Sequence, residues 1–562
     1  MGYVVKHSTS NVSKTRRKGN VTLGVSSEGY SKTSVSGLYN GVPPVEGKHN
    51  FVRTSATGDP NFYCVDDTEL INFVNSIGGS VSNVADATAY LATQNDIMFT
   101  NTIPSDAVTD GLVLELNASN LSSYPGLGNT WYDLSGKGFN STLTNSPLFN
   151  SNGTFQWDGT NDYSLGYFDS NLLNGDYTIE AEFKHQGTSQ WEAVWSNNAV
   201  TSSWSNSINL APILTFNGGS YPTTQYQIGH NAVGISPTGV FLDLTSAHMN
   251  KWVKVWLTRS GTAISIYAKW SGTNLSTSGT FSAYSITPRF GYVIGRHWYN
   301  SGNGGQTFNG EISKIKVYNK VLTNSEILQN YYGGPIVTDG LVLAVYAGNL
   351  VSYESGSTTT YSLTGSLSGS LDNGTGYLPD NGGTWDFDGT NDQINFGNQS
   401  SLGFTSGVFS VEAWIYIPSS WTAGSQYPNL VSKGAKAGWD TDGWSLFCFR
   451  NYGSGTGYAV GIGLRNSGTT NIRVAYNQPT DVWLHVMGTL DGSSIKIYVN
   501  GGLQVNQSQT INPASNSSNV LIGRDTQGNS FPGKIANVKT YNKTLSDSEV
   551  LQNYNAQKSR FI

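Results

Sequence analysis

Two stretches decide the fold: FNGEISKIKVYNKVLTNSEILQNYY at residues 308–332 and FPGKIANVKTYNKTLSDSEVLQNYN at residues 531–555. Fourteen of the 25 paired positions are identical, so the chain carries one unit twice. Each copy opens as a strand. Ile312, Ile315 and Val317, then Ile535, Val538 and Tyr541, are mixed with polar residues in rough alternation. A helix follows, announced by the capping boxes Thr323-x-x-Glu326 and Ser546-x-x-Glu549. Ile327, Leu328 and Tyr331 share one predicted face, as do Val550, Leu551 and Tyr554. Gly333-Gly334-Pro335 stops the first helix and starts a linker.

Outward from these stretches the duplication continues in order. TDGLVLELNASNLSSY (109–124) recurs as TDGLVLAVYAGNLVSY (338–353), and WDGTND (157–162) as FDGTND (387–392). YTIEAEF (177–183) pairs with FSVEAWI (409–415), and VIGRHW (293–298) with LIGRDT (521–526). The segment 251–273 matches 481–503, and each reads as a hairpin, the second turning at Asp491-Gly492. Some 220 residues of alternating strands in each copy predict a two-sheet antiparallel sandwich or jelly roll. The expected class is mainly β: two tandem jelly rolls, at 106–335 and 336–562, after a small α+β module at 1–105. In that module Asp66-Asp67-Thr68 caps a predicted helix through Ile77, and Asn83 caps a second through Leu91.

Composition agrees. Charged residues are only 12 %, while 15 Trp, 31 Tyr and 22 Phe supply ample apolar area, which excludes a disordered chain. The net charge of −6 is uneven. Up to Gly58 there are eight Lys or Arg against Glu28 and Glu46, a balance of +6, which leaves −12 for the remainder. A basic arm ahead of acidic domains suits docking to an acidic surface; the run 14–18 is too short to argue for nucleic acid. Cys64 and Cys448 exclude a disulfide framework and a Cys-based metal site. No apolar run reaches the ~20 residues of a membrane span, and MGYVVKHSTS has no apolar signal-peptide core.

The ordered blocks DGLVL, WYDLSGKG (131–138), WDGTNDY, IEAEF, IGR and the closing strand–helix resemble the laminin-G-like domains of the concanavalin A-like superfamily. The second copy departs from the pattern at Tyr361-Ser362-Leu363-Thr364-Gly365. The resemblance implies a curved jelly roll that binds glycans or proteins and often holds Ca²⁺. Residues 29–63, GYSKTSVSGLYNGVPPVEGKHNFVRTSATGDPNFY, are similar to virion structural proteins of marine T-even-like tailed phages. That similarity implies a virion protein made in the host cytoplasm, attached to other virion proteins through the basic module. Head or neck decoration and fibre are both open, as is a symmetric homo-oligomer. A bacterial carbohydrate-binding protein or adhesin is the alternative.

Candidate chemistry sits in the turns and loops. Asp158 and Asp162, and Asp388 and Asp392, place hard oxygen donors on one tight turn, as Ca²⁺ requires. The same residues also build a hairpin turn with no ion. Trp191, Trp195, Trp204, Trp298, Trp421, Trp439 and Trp444 fall in loop-rich stretches, where exposed rings grip sugars. Trp252 and Trp256 alternate within a hairpin and are expected in the core. Glu180 and Glu182 share one strand face about 6.7 Å apart, within the glycosidase range. The second copy has Glu412 and then Trp414, which removes the pair, so a polysaccharide-degrading enzyme is the least favoured reading and solvated Glu the expected one. No HExxH, P-loop or nucleophile elbow is present in a convincing context.

Overall fold

The computed structural model describes residues 108–561, apart from 170–171, 188–191, 197–212, 217–226, 232–238, 281–290, 297–306, 422–426, 435–440, 452–456 and the single positions 151, 174, 245 and 366. Ahead of residue 108 it describes six short segments and two single positions. The chain falls into two compact units, 1–269 with 274–327, and 270–273 with 328–562. In the N-terminal module Thr15–Lys18 pairs with Val21–Gly24, and His49–Arg53 lies between Asn61–Val65 and Ile97–Phe99. Helix α1 spans Asp67–Ser76, where the first cap was predicted. The second predicted helix lies outside the described residues.

Both rolls are mainly β, each with two antiparallel eight-stranded sheets. The closing sheet of the first runs Leu148–Asn150, Thr154–Asp158, Asn309–Tyr318, Tyr177–His185, Trp252–Ser260, Ala263–Trp270, Thr273–Thr280, with Leu112–Asn117 also on Asn309–Tyr318. The closing sheet of the second repeats this order. It runs Gly376–Leu378, Thr384–Asp388, Pro532–Tyr541, Val408–Tyr416, Trp483–Asp491, Ser494–Val499, Gly502–Ser508, with Leu341–Tyr346 also on Pro532–Tyr541. The facing sheets likewise keep one order. In the second roll it is Thr359–Tyr361, Ser368–Asp372, Gln393–Asn395, Val520–Ile522, Asn429–Lys433, Gly443–Asn451, Gly457–Asn466, Thr469–Gln478.

The repeated stretch is the hub of each closing sheet, and its uneven alternation has a structural cause. A register shift between Glu182 and Phe183 leaves Ser313 bulged, so Ile312 and Ile315 both point inward although three residues apart. Ala536 bulges in the same way opposite Trp414 and Ile415. The freed carbonyls are not lost. Ser313 accepts from Ala118 N (2.8 Å) and Ala536 from Ala347 N (3.0 Å). Helices α2 (Asn324–Tyr332) and α3 (Asp547–Gln557) start where the capping boxes place them. Ser546 N donates to Glu549 Oε2 at 2.8 Å, and Glu549 N donates to Ser546 Oγ at 3.3 Å. Lys543 then bridges Glu549 and Asp339, both at 2.8 Å, tying the first strand of the roll to its last helix. Lys320, Glu326 and Asp110 repeat that bridge in the first roll. One expectation fails: Leu551 is 46 % exposed, so the α3 face toward the sheet is carried by Val550 without it.

The core of the second roll lies between its sheets. Val411, Ala413, Ile415, Val486 and Val538 meet Val431, Trp444, Leu446, Val460 and Ile522, all fully buried. Each large apolar side chain so buried contributes about 1.5–3 kcal/mol. The IGR motif explains itself here. Gly295 and Gly523 have φ of 79° and 81°, and each lies against the aromatic ring of the DGTND strand. A Cβ on Gly523 would stand 2.2 Å from Phe387 Cε1, and one on Gly295 2.5 Å from Trp157 Cε3. Gly523→Ala is therefore expected to destabilise the second roll by more than the about 1–2 kcal/mol of left-handed backbone strain. Gly468→Ala is the control, with φ 88° and open space around it. Urea melts of the two variants should differ by the steric cost at Phe387.

Candidate functional surface

The DGTND turns are built by their own carboxylates. Asp158 Oδ1 accepts from Thr160 N (2.7 Å) and Asn161 N (3.1 Å), and Asp162 Oδ2 accepts from Asp158 N (3.3 Å). Asp388 and Asp392 repeat this at 2.7, 3.3 and 2.9 Å. The carbonyl of Asn161 is taken by Asn145 Nδ2 (2.7 Å); that of Asn391 is taken by Asn373 Nδ2 (2.8 Å) and Arg524 Nη1 (3.3 Å). Burial opposes ionisation of Asp158, but the backbone N–H groups of Thr160, Asn161 and Asp162 outweigh it and hold the carboxyl below its usual range. Asp162 goes the other way: burial, then the charge of Asp158, push it up to about 6. Calcium takes six to eight oxygens. Here two carboxylates spend one oxygen each on the turn, the nearby carbonyl is occupied, and among the described residues no three acidic, His or Cys side chains converge on a metal position. Among the described residues this turn therefore offers two side-chain carboxylates toward such a shell.

The tryptophans expected to grip sugars are not on the surface where they are described. Trp195, Trp421 and Trp444 are 0 %, 3 % and 0 % exposed. Trp195 and Trp444 lie on strands, not loops, and point between the sheets. Trp195 stacks on Tyr292 at 4.9 Å, and Trp444 donates Nε1 to Leu402 O at 2.8 Å. Trp421 is closed over by Arg450 and Tyr458, 5.4 Å from its ring. Trp191, Trp204, Trp298 and Trp439 lie outside the described residues. Trp252 and Trp256 are buried as expected.

Glu180 and Glu182 do share a face, but they are buried rather than solvated. Trp256 Nε1 donates to Glu180 at 2.9 Å, and Glu182 stands 3.8 and 3.7 Å from Lys254 and Lys314. Both carboxylates are part of a packed, buried polar row. His185, His248 and His485 are also internal. His185 lies between Glu192 (3.1 Å) and His248 (3.2 Å), and His485 against Glu412 (3.1 Å).

The exposed aromatic surface lies elsewhere. On the facing sheet of the second roll, Tyr427 stacks on Phe449 at 4.8 Å, and Phe449 meets Tyr476 edge-on at 6.5 Å. Tyr476 is 58 % exposed, and the other two are half-buried. The strand between them supplies Ala459 opposite Phe449 and Gly461 opposite Phe447, so small residues floor the space between rings. In the first roll Tyr167 is exposed on the facing sheet, and the Arg296 guanidinium lies over Tyr163 at 5.5 Å. Sequence reading passed over this cluster because it looked only for Trp in loops. The signal was the run Leu446-Phe447-Cys448-Phe449, apolar on both faces of a strand whose outer face should be polar.

The two-sheet rolls define a class of lectin-like β domains, and the comparisons place the chain within it. The laminin G model of the concanavalin A-like lectin/glucanases superfamily matches residues 158–328 and again 388–551. The chain belongs to that superfamily. No curated protein matches it. Among solved structures, the binding domain of Paraclostridial Mosquitocidal Protein 1 is 17 % identical over 39 % of this chain and 52 % of its own, with a TM-score of 0.31. Domain 4 of AbnA, a GH43 extracellular arabinanase from Geobacillus stearothermophilus, is 18 % identical over 38 % of this chain and 98 % of its own, at 0.29. Domains LG4-5 of the mouse laminin alpha1 chain are 11 % identical over 72 % of this chain and 94 % of their own, at 0.24.

Asp162 gives the turn a measurable pH dependence. Its carboxyl is raised in the folded state, so its contribution is fullest below the ordinary aspartate range and is lost as pH rises through about 6. Asp162→Asn keeps the acceptor for Asp158 N and removes the charge. The variant's first roll should melt higher than wild type well above pH 6, and the two should converge at acidic pH in calorimetry.

Proposed function

We propose that this chain is a non-enzymatic adhesion protein of a virion, whose jelly rolls hold glycans or proteins of the host surface. The observation that carries the adhesive part is the aromatic step of Tyr427, Phe449 and Tyr476 on a sheet face whose middle strand supplies small residues at Ala459 and Gly461. A sugar ring presents a flat array of C–H groups that stacks on such faces and needs no charge to do so. Membership of a lectin-like superfamily supports the same ligand class. The carboxylates that a hydrolase would use are engaged in turns or ion pairs, which supports binding without turnover.

The virion part rests on the N-terminal wording at 29–63 and the basic balance of the arm, which suits attachment to other, acidic virion proteins. Immunogold labelling of purified particles tests it, and a chain missing from particles but secreted by a bacterium would favour a free carbohydrate-binding adhesin instead. For the ligand, a glycan array with the full chain should give hits that Tyr476→Ala weakens by up to about tenfold, the loss of one ~0.5–1.5 kcal/mol ring contact, while its melting temperature stays put. Neither the hits nor the melting should change with EDTA. Array signals equal in wild type and Tyr476→Ala would remove this face from the reading.

A further inference from the structure

Beneath helix α3 the closing sheet of the second roll buries a set of reactive groups that adhesion does not require. Lys539, Glu412, Asn537 and His485 are all 0 % exposed. Lys539 Nζ donates to Glu412 Oε1 at 2.6 Å, to Asn537 Oδ1 at 3.1 Å and to Gln557 Oε1 at 3.0 Å. Glu412 Oε2 accepts from Asn553 Nδ2 and faces His485 Nε2, both at 3.1 Å. The Tyr346 ring lies 5.3 Å from the ammonium. Asn537 Nδ2 has no hydrogen-bond partner although it is buried. An amine, a carboxamide and a carboxylate are thus held together away from bulk solvent, with the amide nitrogen left unanchored.

We propose that Lys539 Nζ and the side-chain carbonyl carbon of Asn537 become joined in an intramolecular amide bond, with Glu412 as the proton acceptor and ammonia as the leaving group. Residues two apart on a strand project from one face with Cα atoms about 6.7 Å apart, a span a lysine stem bridges. The Nζ–Cγ bond forms as Glu412 takes a proton from Nζ. The Cγ–Nδ2 bond breaks as the proton passes to Nδ2, and ammonia departs, becoming ammonium in water with the second ammonium proton of the original lysine. No oxidant is needed. Burial works against the lysine charge and Glu412 works for it; burial wins and holds Lys539 below its ordinary range, toward the nucleophilic amine. The product replaces a desolvated cation by a neutral amide, and Glu412 keeps its hydrogen-bond contacts to His485 and Asn553.

The first roll is an internal control. Glu180 and Lys316 stand opposite each other as Glu412 and Lys539 do, but the position of Asn537 is Lys314. One bond per chain is therefore expected. The intact, denatured full chain should be lighter than its sequence by one ammonia. Trypsin should leave residues 535–543 uncut after Lys539, with the same deficit mapped between residues 537 and 539. Asn537→Ala should restore full mass and cleavage while keeping the Glu412 ion pair. Asn537→Asp, which keeps an electrophile, should lose water in place of ammonia, so a fault in folding is told apart from a lost carboxamide. Glu412→Gln should leave the mass full. Wild-type protein at full mass, a deficit that survives Asn537→Ala, or a bond mapped to Gln557 would overturn the proposal.

Discussion

The last strand of each roll lies in the middle of its sheet, and everything else is arranged around that. Asn309–Tyr318 bonds along one edge to Tyr177–His185 and along the other to Thr154–Asp158 and Leu112–Asn117. Pro532–Tyr541 does the same with Val408–Tyr416, Thr384–Asp388 and Leu341–Tyr346. A strand that arrives last in sequence yet joins the first strand to the centre closes its loops over nearly the whole domain. Such pairing costs entropy before it yields contacts, and gives the rolls a high contact order. The bulges at Ser313 and Ala536 fit the same need. They let one strand serve partners of different phase and send a carbonyl to the first strand.

The hub also carries buried charge, which sets the energetics of the sheet's other face. Lys539 in one roll, and Lys316 in the other, stand across from a buried Glu in the strand register. Desolvating such a pair costs several kcal/mol per ion, and attraction offsets this only when further hydrogen bonds are made. In the second roll they are. Burial would raise Glu412, but Lys539 and His485 together hold it at about 2, and Asn553 and Gln557 of the last helix complete the set. Removing one partner leaves a bare buried charge, so the row fixes strand register and helix position together.

Most of this frame was legible in the residues. The duplication placed two units in order and the capping boxes placed α2 and α3, whereas IGR read only as a repeated block and its glycine's approach to Trp157 or Phe387 needed the fold. The phase break between Ile312 and Ile315 was visible as irregular alternation but not as a bulge, because a bulge is defined by the partner strand. Burial of Glu180 and Glu182 was illegible for a similar reason. A strand face reads as polar whether it meets water or a row of lysines from two other strands. The tryptophans misled because ring type was used in place of strand phase: Trp195 and Trp444 occupy inward positions, while Phe449 and Tyr476 lie outward.

The two rolls share a frame but not the anchors of their loops. Asn250 N donates to His185 O, and Asp481 N to Ile417 O, each at 2.9 Å, so these residues are structural equivalents. At that end of the strand the first roll buries His185 with Glu192 and His248, and Glu192 also accepts from Asn309 N at 3.0 Å. The second roll has apolar Ile417 there, and instead uses Asp525, which accepts from Asn429 Nδ2 (2.9 Å) and from Asn529 N (2.9 Å). The strand ends are thus pinned by a Glu–His pair in one copy and by an Asp–Asn pair in the other. Duplication for avidity would keep the ligand face constant and vary the rest. Here the closing sheets are constant and the loop anchors differ, so what varies between the copies lies at the ends of the strands and not in the frame.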